Sequence, residues 1–391
     1  MIAWLFKVGS LFEFLGNGVR WPIVILGHLT VLIWIKILSS LFNHETSKQW
    51  LWLSLSSPLL GFGSIIATPD VPVVFFWSVS VFLFLELERN PSWKSFAMLG
   101  SALGLGFCAK YHIVLFPVLV FFYIFLEKKF HLLRVKDILI AVLFGLFFSL
   151  PVIIWNVRHD FISFKFQIEH GLGQNIWKPF WTYSYVLGQI AAVFPIVFWA
   201  AFRKRTSNKG RFLYYVAWGP LLFFLFSSFK GKVELNWPII AVPAILGLAA
   251  ANERFRRYFK LAHIFWFCLL SFFSINLFFP MLENTPAKLQ EPVQYRKLEN
   301  LQAQYSPLFA GTYQMASRLW FKSKKPVYKL YKMSREDFFD HIEGSIPTTS
   351  QFFVVSDFEC DLPNWITTAS YAVKRIQEWD TTFVLYEVTK K

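Results

Sequence analysis

Long apolar runs, separated by short polar or charged stretches, fill the first 280 residues of the chain. A helix of about 20 residues crosses the hydrocarbon core of a bilayer, and about ten of these runs are long enough to cross or enter it. The pattern therefore predicts an all-α polytopic membrane protein with its membrane domain at 22–280. The expected segments are 22–41, 50–67, 71–88, 93–109, 113–126, 137–155, 183–201, 212–229, 237–251 and 261–280.

The first 21 residues have a different pattern. Their apolar side chains recur at helical spacing, and Lys7 and Glu13 stand among them. This spacing predicts an amphipathic helix that lies on the outer membrane surface over residues 1–21.

The chain from 281 to 391 is richer in charge, and its apolar runs are shorter. Stretches 326–331, 351–355 and 382–388 are typical of strands. Ser334 followed by Asp337 predicts a helix that continues to Ile342. We expect a small extracytoplasmic α/β domain over 281–391.

Charged residues make up 16% of the chain, below the ~25% of soluble domains. The net charge is +15, but the basic residues concentrate in short loops between apolar segments, which argues against a nucleic-acid partner. The positive-inside rule places these loops in the cytoplasm and the tail outside the cytoplasmic (inner) membrane. The basic residues are Lys128, Lys129, Arg134, Lys136, Arg203, Lys204, Arg205, Lys209, Arg211, Arg254, Arg256, Arg257 and Lys260.

Asp70 lies in a short polar break, ATPDVP at 67–72, and no other acidic residue occurs between Glu45 and Glu86. A carboxylate at the end of a membrane helix is costly if it enters lipid, which favours a functional role. The same residues also suit a helix start, with Thr68 as N-cap, Pro69 in the first turn and Asp70 near the positive end of the dipole.

Most other polar candidates lie in the outward loops, where cytosolic nucleotide sugars are not available. A sugar donor on this side would have to be displayed there, and a lipid-linked donor is the natural choice. These candidates include Lys110, His112, Arg158, His159, Asp160, Glu169, His170, Glu234 and Asn236.

Several short motifs occur in a characteristic order. After ATPDVP at 67–72 come FFW at 75–77, LGLG at 103–106 and AKY at 109–111, followed by PVIIWNVRH at 151–159, FKFQIEHG at 164–171 and GKVELNWP at 231–238. Together they resemble the family 39 glycosyltransferases of GT-C fold, relatives of protein mannosyltransferases and lipid A aminoarabinose transferases. The resemblance implies transfer of a hexose- or pentose-type sugar from a polyprenyl phosphate to a lipid, glycan or protein acceptor outside the membrane.

The resemblance also implies a role for each matching residue. Asp70 corresponds to the second acidic position of the family and is the catalytic candidate, orienting the acceptor, neutralising charge or acting as a base. Lys110, with Tyr111, is expected to hold the donor phosphate, although a lysine snorkelling from a helix end would look the same. Glu234 and Asn236 are expected to contact sugar or acceptor, or to form a polar cap beside an interfacial Trp.

Two departures from the family pattern affect these expectations. The chain starts at MIAWL, as if within a stretch that follows the first acidic loop of the family, so the principal catalytic carboxylate is not among these residues. The resemblance thus implies either a misassigned start or a truncated chain, and little or no activity is expected of the sequence as printed. His170 matches a histidine-containing outward segment that binds substrate in relatives, but no Arg follows it here, which weakens its assignment as a phosphate contact.

No cofactor is indicated beyond the lipid-linked sugar donor. A divalent metal on His159, Asp160 and His170 is chemically feasible, but solvated loop residues are the simpler interpretation, and no metal ligand is assigned. Two other functions remain open. A lipid or sugar transporter, or flippase, would carry ionisable groups near the middle of its spans, and a non-catalytic scaffold would bind partners through its tail.

Overall fold

The computed structural model of the chain describes residues 1–16, 18–172, 177–204, 210–279, 295–357, 361–367, 371–379 and 382–391. The side chains of 169–172 and 277–278 lie outside this description. The chain divides into two compact units, Met1–Leu270 and Ser271–Lys391.

The first unit is helical throughout its described regular structure. Every apolar segment expected from the sequence coincides with one helix or with two consecutive helices. The helices are α1 (Ile2–Gly9), α2 (Trp21–Leu41), α3 (His44–Ser56), α4 (Asp70–Arg89), α5 (Trp93–Phe107), α6 (Leu115–Leu126), α7 (Val135–Arg158), α8 (Ile162–Leu172), α9 (Pro179–Val193), α10 (Pro195–Arg203), α11 (Phe212–Ser227), α12 (Val242–Ala250) and α13 (Phe259–Phe278), the last of which continues into the second unit.

Within the described residues, four stretches of helix are long and apolar enough to cross a membrane. They are Gly18–Leu41, Asp70–Arg89, Val135–Arg158 and Glu253–Asn276. Helices α9 and α10 make a fifth candidate if they form one span, although they are bent by 91°. Shorter apolar helices cover Tyr111–Leu126, Phe212–Ser227 and Trp237–Ala250. The membrane character is confirmed, and the count of about ten segments stays a prediction.

Two expected spans are interrupted at prolines. The segment expected at 50–67 leaves the α-helix after Ser56 and continues as a five-residue π-helical turn, Pro58–Phe62. The segment expected at 183–201 bends at Phe194, which has a φ of 73° and comes directly before Pro195. A proline disfavours the helical conformation in the residue before it, so the extended backbone of Ser57 and the end of α3 follow from local sequence.

Glycines allow α5 and α7 to pack closely. A Cβ added to Gly100 would lie 2.1 Å from the carbonyl oxygen of Ala141, and one added to Gly104 would lie 2.3 Å from that of Gly145. Both distances are far inside van der Waals contact. The backbones of the two helices therefore approach as in other membrane helix pairs with small residues at the interface.

Buried tryptophans join α2 to α4 and α3 to α12 at the core of this unit. The indole N–H of Trp34 donates to Ser78 Oγ at 2.7 Å, and that of Trp50 donates to the carbonyl oxygen of Pro243 at 2.9 Å. Both side chains are fully buried, so these bonds satisfy polar groups that would otherwise be costly in an apolar interior.

The second unit contains a five-stranded mixed sheet in the order β2-β1-β3-β5-β4. Strands β1 (Leu308–Ala310), β2 (Tyr328–Lys329) and β3 (Gln351–Asp357) are parallel, whereas β4 (Tyr371–Trp379) and β5 (Phe383–Lys390) pair antiparallel. The helices of this unit are α14 (Leu301–Gln304), α15 (Tyr313–Ser323) and α16 (Asn364–Thr367).

The expected helix after Ser334 is a short 3₁₀ turn, Phe338–His341. Its N-cap is Asp337, which accepts from the backbone N–H of Phe339, and not Ser334. Lys329 is fully buried beside this turn, where its ammonium pairs with Asp340 and, at 2.9 Å, with Asp337. The buried ammonium of Lys329 needs negative partners, and this loop conformation brings Asp337 and Asp340 to it.

Candidate functional site

Asp70 is the first residue of α4 and is buried, with 10% of its side chain exposed. The helix starts after Pro69, so Thr68 does not act as its N-cap. Instead the Thr68 hydroxyl donates to Asp70 Oδ2 at 3.4 Å. The carboxylate thus lies at the positive end of the α4 dipole.

Lys110 reaches the same carboxylate from the turn after α5. Its backbone N–H still bonds to Gly106, but its own backbone is extended (φ −152°, ψ 140°), so the chain leaves the helix here. The ammonium forms an ion pair with Asp70 Oδ1, and its side chain is 22% exposed.

Asn236 closes the group from a third part of the chain. It precedes a 3₁₀ turn, Trp237–Ala241, that leads into α12. Its side-chain amide donates to Asp70 Oδ2 at 2.7 Å. The structure thus brings together three residues expected from the sequence, Asp70, Lys110 and Asn236, which we call the Asp70 cluster.

The Asp70 cluster combines one carboxylate, one ammonium and neutral donors at the end of an apolar helix bundle. An ammonium in such a place is suited to binding an anion as a point charge. Among the described residues, no group of three or more His, Cys, Asp or Glu side chains is arranged to hold a metal ion.

Tyr111 follows Lys110 in sequence but its hydroxyl has other partners. It bonds with Ser163 Oγ of α8 and accepts from the side-chain amide of Asn156 at 3.3 Å. Its ring packs against Phe107 and Phe164, with centroid distances of 4.9 and 5.1 Å. Tyr111 therefore joins the C-terminal end of α7 to α8.

Glu234 makes a contact outside the Asp70 cluster, and the side chain of His170 is not described. Glu234 forms an ion pair with Lys232 at 3.0 Å, and both side chains are exposed. His170 belongs to α8, but its side chain lies outside the described residues.

A large apolar cavity of about 550 Å³ lies between α5, α6 and α7. Its lining extends from Leu132 and Leu133, near the start of α7, to Phe107 and Phe164 at the other end. The latter two aromatic rings also flank Tyr111, the neighbour of Lys110 in the chain. An apolar space of this size suits a ligand with a long hydrocarbon chain.

Residues 1–155 match the family described as dolichyl-phosphate-mannose-protein mannosyltransferase. A curated relative, lipid A galacturonosyltransferase RgtD of Rhizobium johnstonii, is 25% identical over 264 residues, which cover 62% of this chain and 54% of the relative. The chain thus spans about half the length of the curated relative that it matches.

Solved structures of ArnT from Cupriavidus metallidurans share the fold. The structure bound to undecaprenyl phosphate superposes with a TM-score of 0.70 at 15% identity, covering 99% of this chain and 87% of ArnT. The apo structure gives 0.67 at 16% identity, covering 99% and 86%. The resemblance to the GT-C glycosyltransferases is confirmed. The chain therefore shares the fold of ArnT.

Asn156 is a polar residue of the first unit that the sequence marks only weakly. It is fully buried, donates to Tyr111 and to the carbonyl oxygen of Val152, and its Oδ1 has no hydrogen-bond partner among the described residues. The signal in the sequence is an amide between apolar residues near the end of a long span. The same pattern is expected for an amide buried inside the protein and for one at the membrane–water interface, so the sequence does not distinguish the two.

Proposed function

We propose that this protein transfers a sugar from a polyprenyl phosphate to an acceptor on the outer side of the cytoplasmic membrane, with Lys110 binding the donor phosphate. The observation that carries the proposal is the Asp70 cluster, which holds an ammonium at the polar end of a GT-C helix bundle. The acceptor class stays broad: a lipid, a glycan or a protein.

The expected reaction displaces the phosphate from the anomeric carbon of the sugar. An acceptor oxygen forms the new bond to that carbon, and the bond to the phosphate oxygen breaks with its electron pair on the phosphate. The acceptor hydroxyl gives up its proton to water or to an oxygen of the departing phosphate. Because negative charge grows on the leaving phosphate, a fixed cation beside it lowers the barrier.

The apolar cavity between α5, α6 and α7 supports a long-chain donor. Its volume of about 550 Å³ and its apolar lining suit a prenyl chain, and two of its lining residues, Phe107 and Phe164, pack against Tyr111, the neighbour of Lys110 in sequence. A prenyl chain placed there would leave its phosphate on the side of the Asp70 cluster. The structure of ArnT bound to undecaprenyl phosphate is consistent with this class of ligand in a related fold.

The first test is binding of undecaprenyl phosphate to the full chain in lipid nanodiscs. We expect Lys110→Met to weaken binding by about tenfold or more, since hydrogen bonds to charged groups contribute about 1.5–3 kcal/mol. The matched control is Lys129→Met, because Lys129 is also a partly buried lysine paired with a glutamate, Glu88. Equal binding by both variants, or no binding by the unmodified protein, would contradict the proposal.

Transfer of labelled sugar from a polyprenyl-phosphate donor is the second test. A product formed by the protein and lost in Lys110→Met supports the enzymatic function, and it would contradict the expectation that this sequence has little activity. Movement of the donor across vesicles without any transfer would instead support a flippase.

A further inference from the structure

The contact between Asp70 and Lys110 has a direct consequence for the proposed reaction. We infer that Asp70 competes with the phosphate of the polyprenyl carrier for Lys110 and thereby promotes release of the polyprenyl phosphate product. This inference rests on the proposed function, and it assigns Asp70 the role of a positioning residue instead of a base.

Asp70 is the fixed partner of the pair. Its Oδ2 accepts from Asn236 at 2.7 Å and from Thr68 at 3.4 Å, while Oδ1 faces Lys110. Its short side chain lies at the start of α4, where burial and three donors define its orientation. Both of its oxygens thus have partners within the protein, from three separate parts of the chain.

Lys110 is the movable partner. Its ammonium ends a flexible four-carbon chain, and its side chain is twice as exposed as that of Asp70, 22% against 10%. The ammonium carries three N–H donors, more than one carboxylate oxygen takes up. Lys110 is therefore able to turn from Asp70 toward a phosphate while Asp70 stays bonded to Asn236.

The charge of the phosphate changes during transfer, and this change gives the competition its effect. The donor is a phosphodiester with one negative charge. The product is a phosphomonoester with a charge of about −1.5 to −2 near neutral pH. Lys110 would hold the product more strongly than the donor, which would slow turnover. A nearby carboxylate offers Lys110 an alternative partner and so weakens the binding of the product.

The experiment compares undecaprenyl phosphate binding and dissociation for the full chain in nanodiscs. We expect Asp70→Asn to bind about tenfold more tightly and to release the lipid correspondingly more slowly, because the competing charge is gone. In a Lys110→Met background, the same substitution should change affinity less than twofold. The control is Glu88→Gln, which removes the carboxylate paired with Lys129 and should leave affinity unchanged.

Asp70→Asn could fail to fold, so the test includes a second variant and a chemical rescue experiment. Asn236→Ala keeps the Asp70 charge but removes its anchor, so the carboxylate must lose rotamer freedom to reach Lys110 and competes less well. We expect binding two- to threefold tighter than in the unmodified protein. In Asp70→Ala, acetate should speed release of the lipid relative to chloride at the same ionic strength.

The outcomes separate this inference from the proposed function. If the unmodified protein binds the lipid through Lys110 but neither Asp70→Asn nor Asn236→Ala tightens binding, the competition is wrong and the proposed function stands. If Asp70→Asn tightens binding equally without Lys110, the effect is general electrostatics and the inference is also wrong. If binding does not depend on Lys110 at all, both proposals fail.

Discussion

Asn236 donates a hydrogen bond of 2.7 Å to Asp70, a residue 166 positions earlier in the chain. This bond joins the start of α4 to the turn that leads into α12. The position of the Asp70 carboxylate is therefore set by the packing of the whole membrane unit, and not by α4 alone.

Loss of this bond should reduce stability. We expect Asn236→Ala to lower the free energy of unfolding by about 1–3 kcal/mol, because a bond to a buried charged group is lost. The measurement is thermal unfolding in detergent, followed by intrinsic tryptophan fluorescence. Asn252→Ala is the control, since Asn252 donates at 2.9 Å to a neutral carbonyl, that of Ala200. A destabilisation for Asn252→Ala that exceeds that for Asn236→Ala would argue against a special role of the Asp70 charge.

Tyr111 should act on stability more than on phosphate binding. Tyr111→Phe keeps the ring contacts with Phe107 and Phe164 but removes the hydroxyl that bonds Ser163 and Asn156. We expect a loss of about 1 kcal/mol and less than a twofold change in undecaprenyl phosphate affinity. A tenfold loss of affinity with unchanged stability would instead favour the expectation that Tyr111 contacts the donor.

The apolar cavity should discriminate ligands by chain length. Leu146 lines it, whereas Leu143 lies on the same helix outside the lining, and both are exposed. We expect Leu146→Trp to fill part of the cavity and to weaken binding of undecaprenyl phosphate by about tenfold. A short prenyl phosphate should be affected much less. Leu143→Trp should leave both affinities unchanged, and a similar loss in the two variants would rule out this cavity.

Gly100 and Gly145, which lie at the contact between α5 and α7, should differ in how well they tolerate substitution by alanine. Gly100→Ala places a methyl group 2.1 Å from the carbonyl oxygen of Ala141, whereas Gly145→Ala meets its nearest neighbour at 3.4 Å. Overpacking costs about 1–3 kcal/mol, so Gly100→Ala should unfold at a lower temperature. Gly145→Ala should be neutral or slightly stabilising, since Ala favours helix by up to about 1 kcal/mol. Equal melting temperatures would show that α5 and α7 separate easily.

The part of the second unit around Asp340 should become less stable at acidic pH. Burial alone would raise the pKa of Asp340, but hydrogen bonds from Lys329 and from the backbone of Asp337 and Lys332, with the Lys329 charge, hold this pKa below its usual value. A lowered folded pKa contributes stability above the unfolded value near 3.8, and that contribution disappears as pH falls through the folded pKa.

Hydrogen exchange of the full chain, measured over residues 331–345, tests this expectation. Protection should fall as the pH drops below about 4. Asp340→Asn should have low protection at every pH, with a weaker pH dependence. A pH dependence of the same size in Asp340→Asn would exclude this residue as its source.

The sequence predicts the membrane helices well because a span must satisfy its own backbone inside lipid and so carries a long apolar signal. The helix breaks at Pro58 and Pro195 change the apolar pattern at only a few residues, so a hydropathy average over a whole span does not reveal them. Strand β4 has no such signal, since most of its side chains are exposed and do not alternate between apolar and polar. Strand β1 has three residues, which is too short for a pattern.

For the candidate site, sequence and resemblance identify Asp70, Lys110 and Asn236 as separate residues. Their mutual contacts depend on how distant helices pack, which local patterns do not encode. Tyr111 illustrates the same limit: it neighbours Lys110 in the chain, yet the turn after α5 directs its hydroxyl to Ser163 and not to Asp70.

Helix α4 carries an ion pair at both ends, Asp70 with Lys110 and Glu88 with Lys129. The two acidic residues are separated by about 27 Å of helix, close to the ~30 Å hydrocarbon thickness of a typical bilayer. Sliding α4 along the membrane normal would bring one pair into the hydrocarbon at a high energetic cost. The depth of the Asp70 cluster is thereby matched to the thickness of the host membrane, and thinner or thicker lipids should shift how readily a carrier headgroup reaches Lys110.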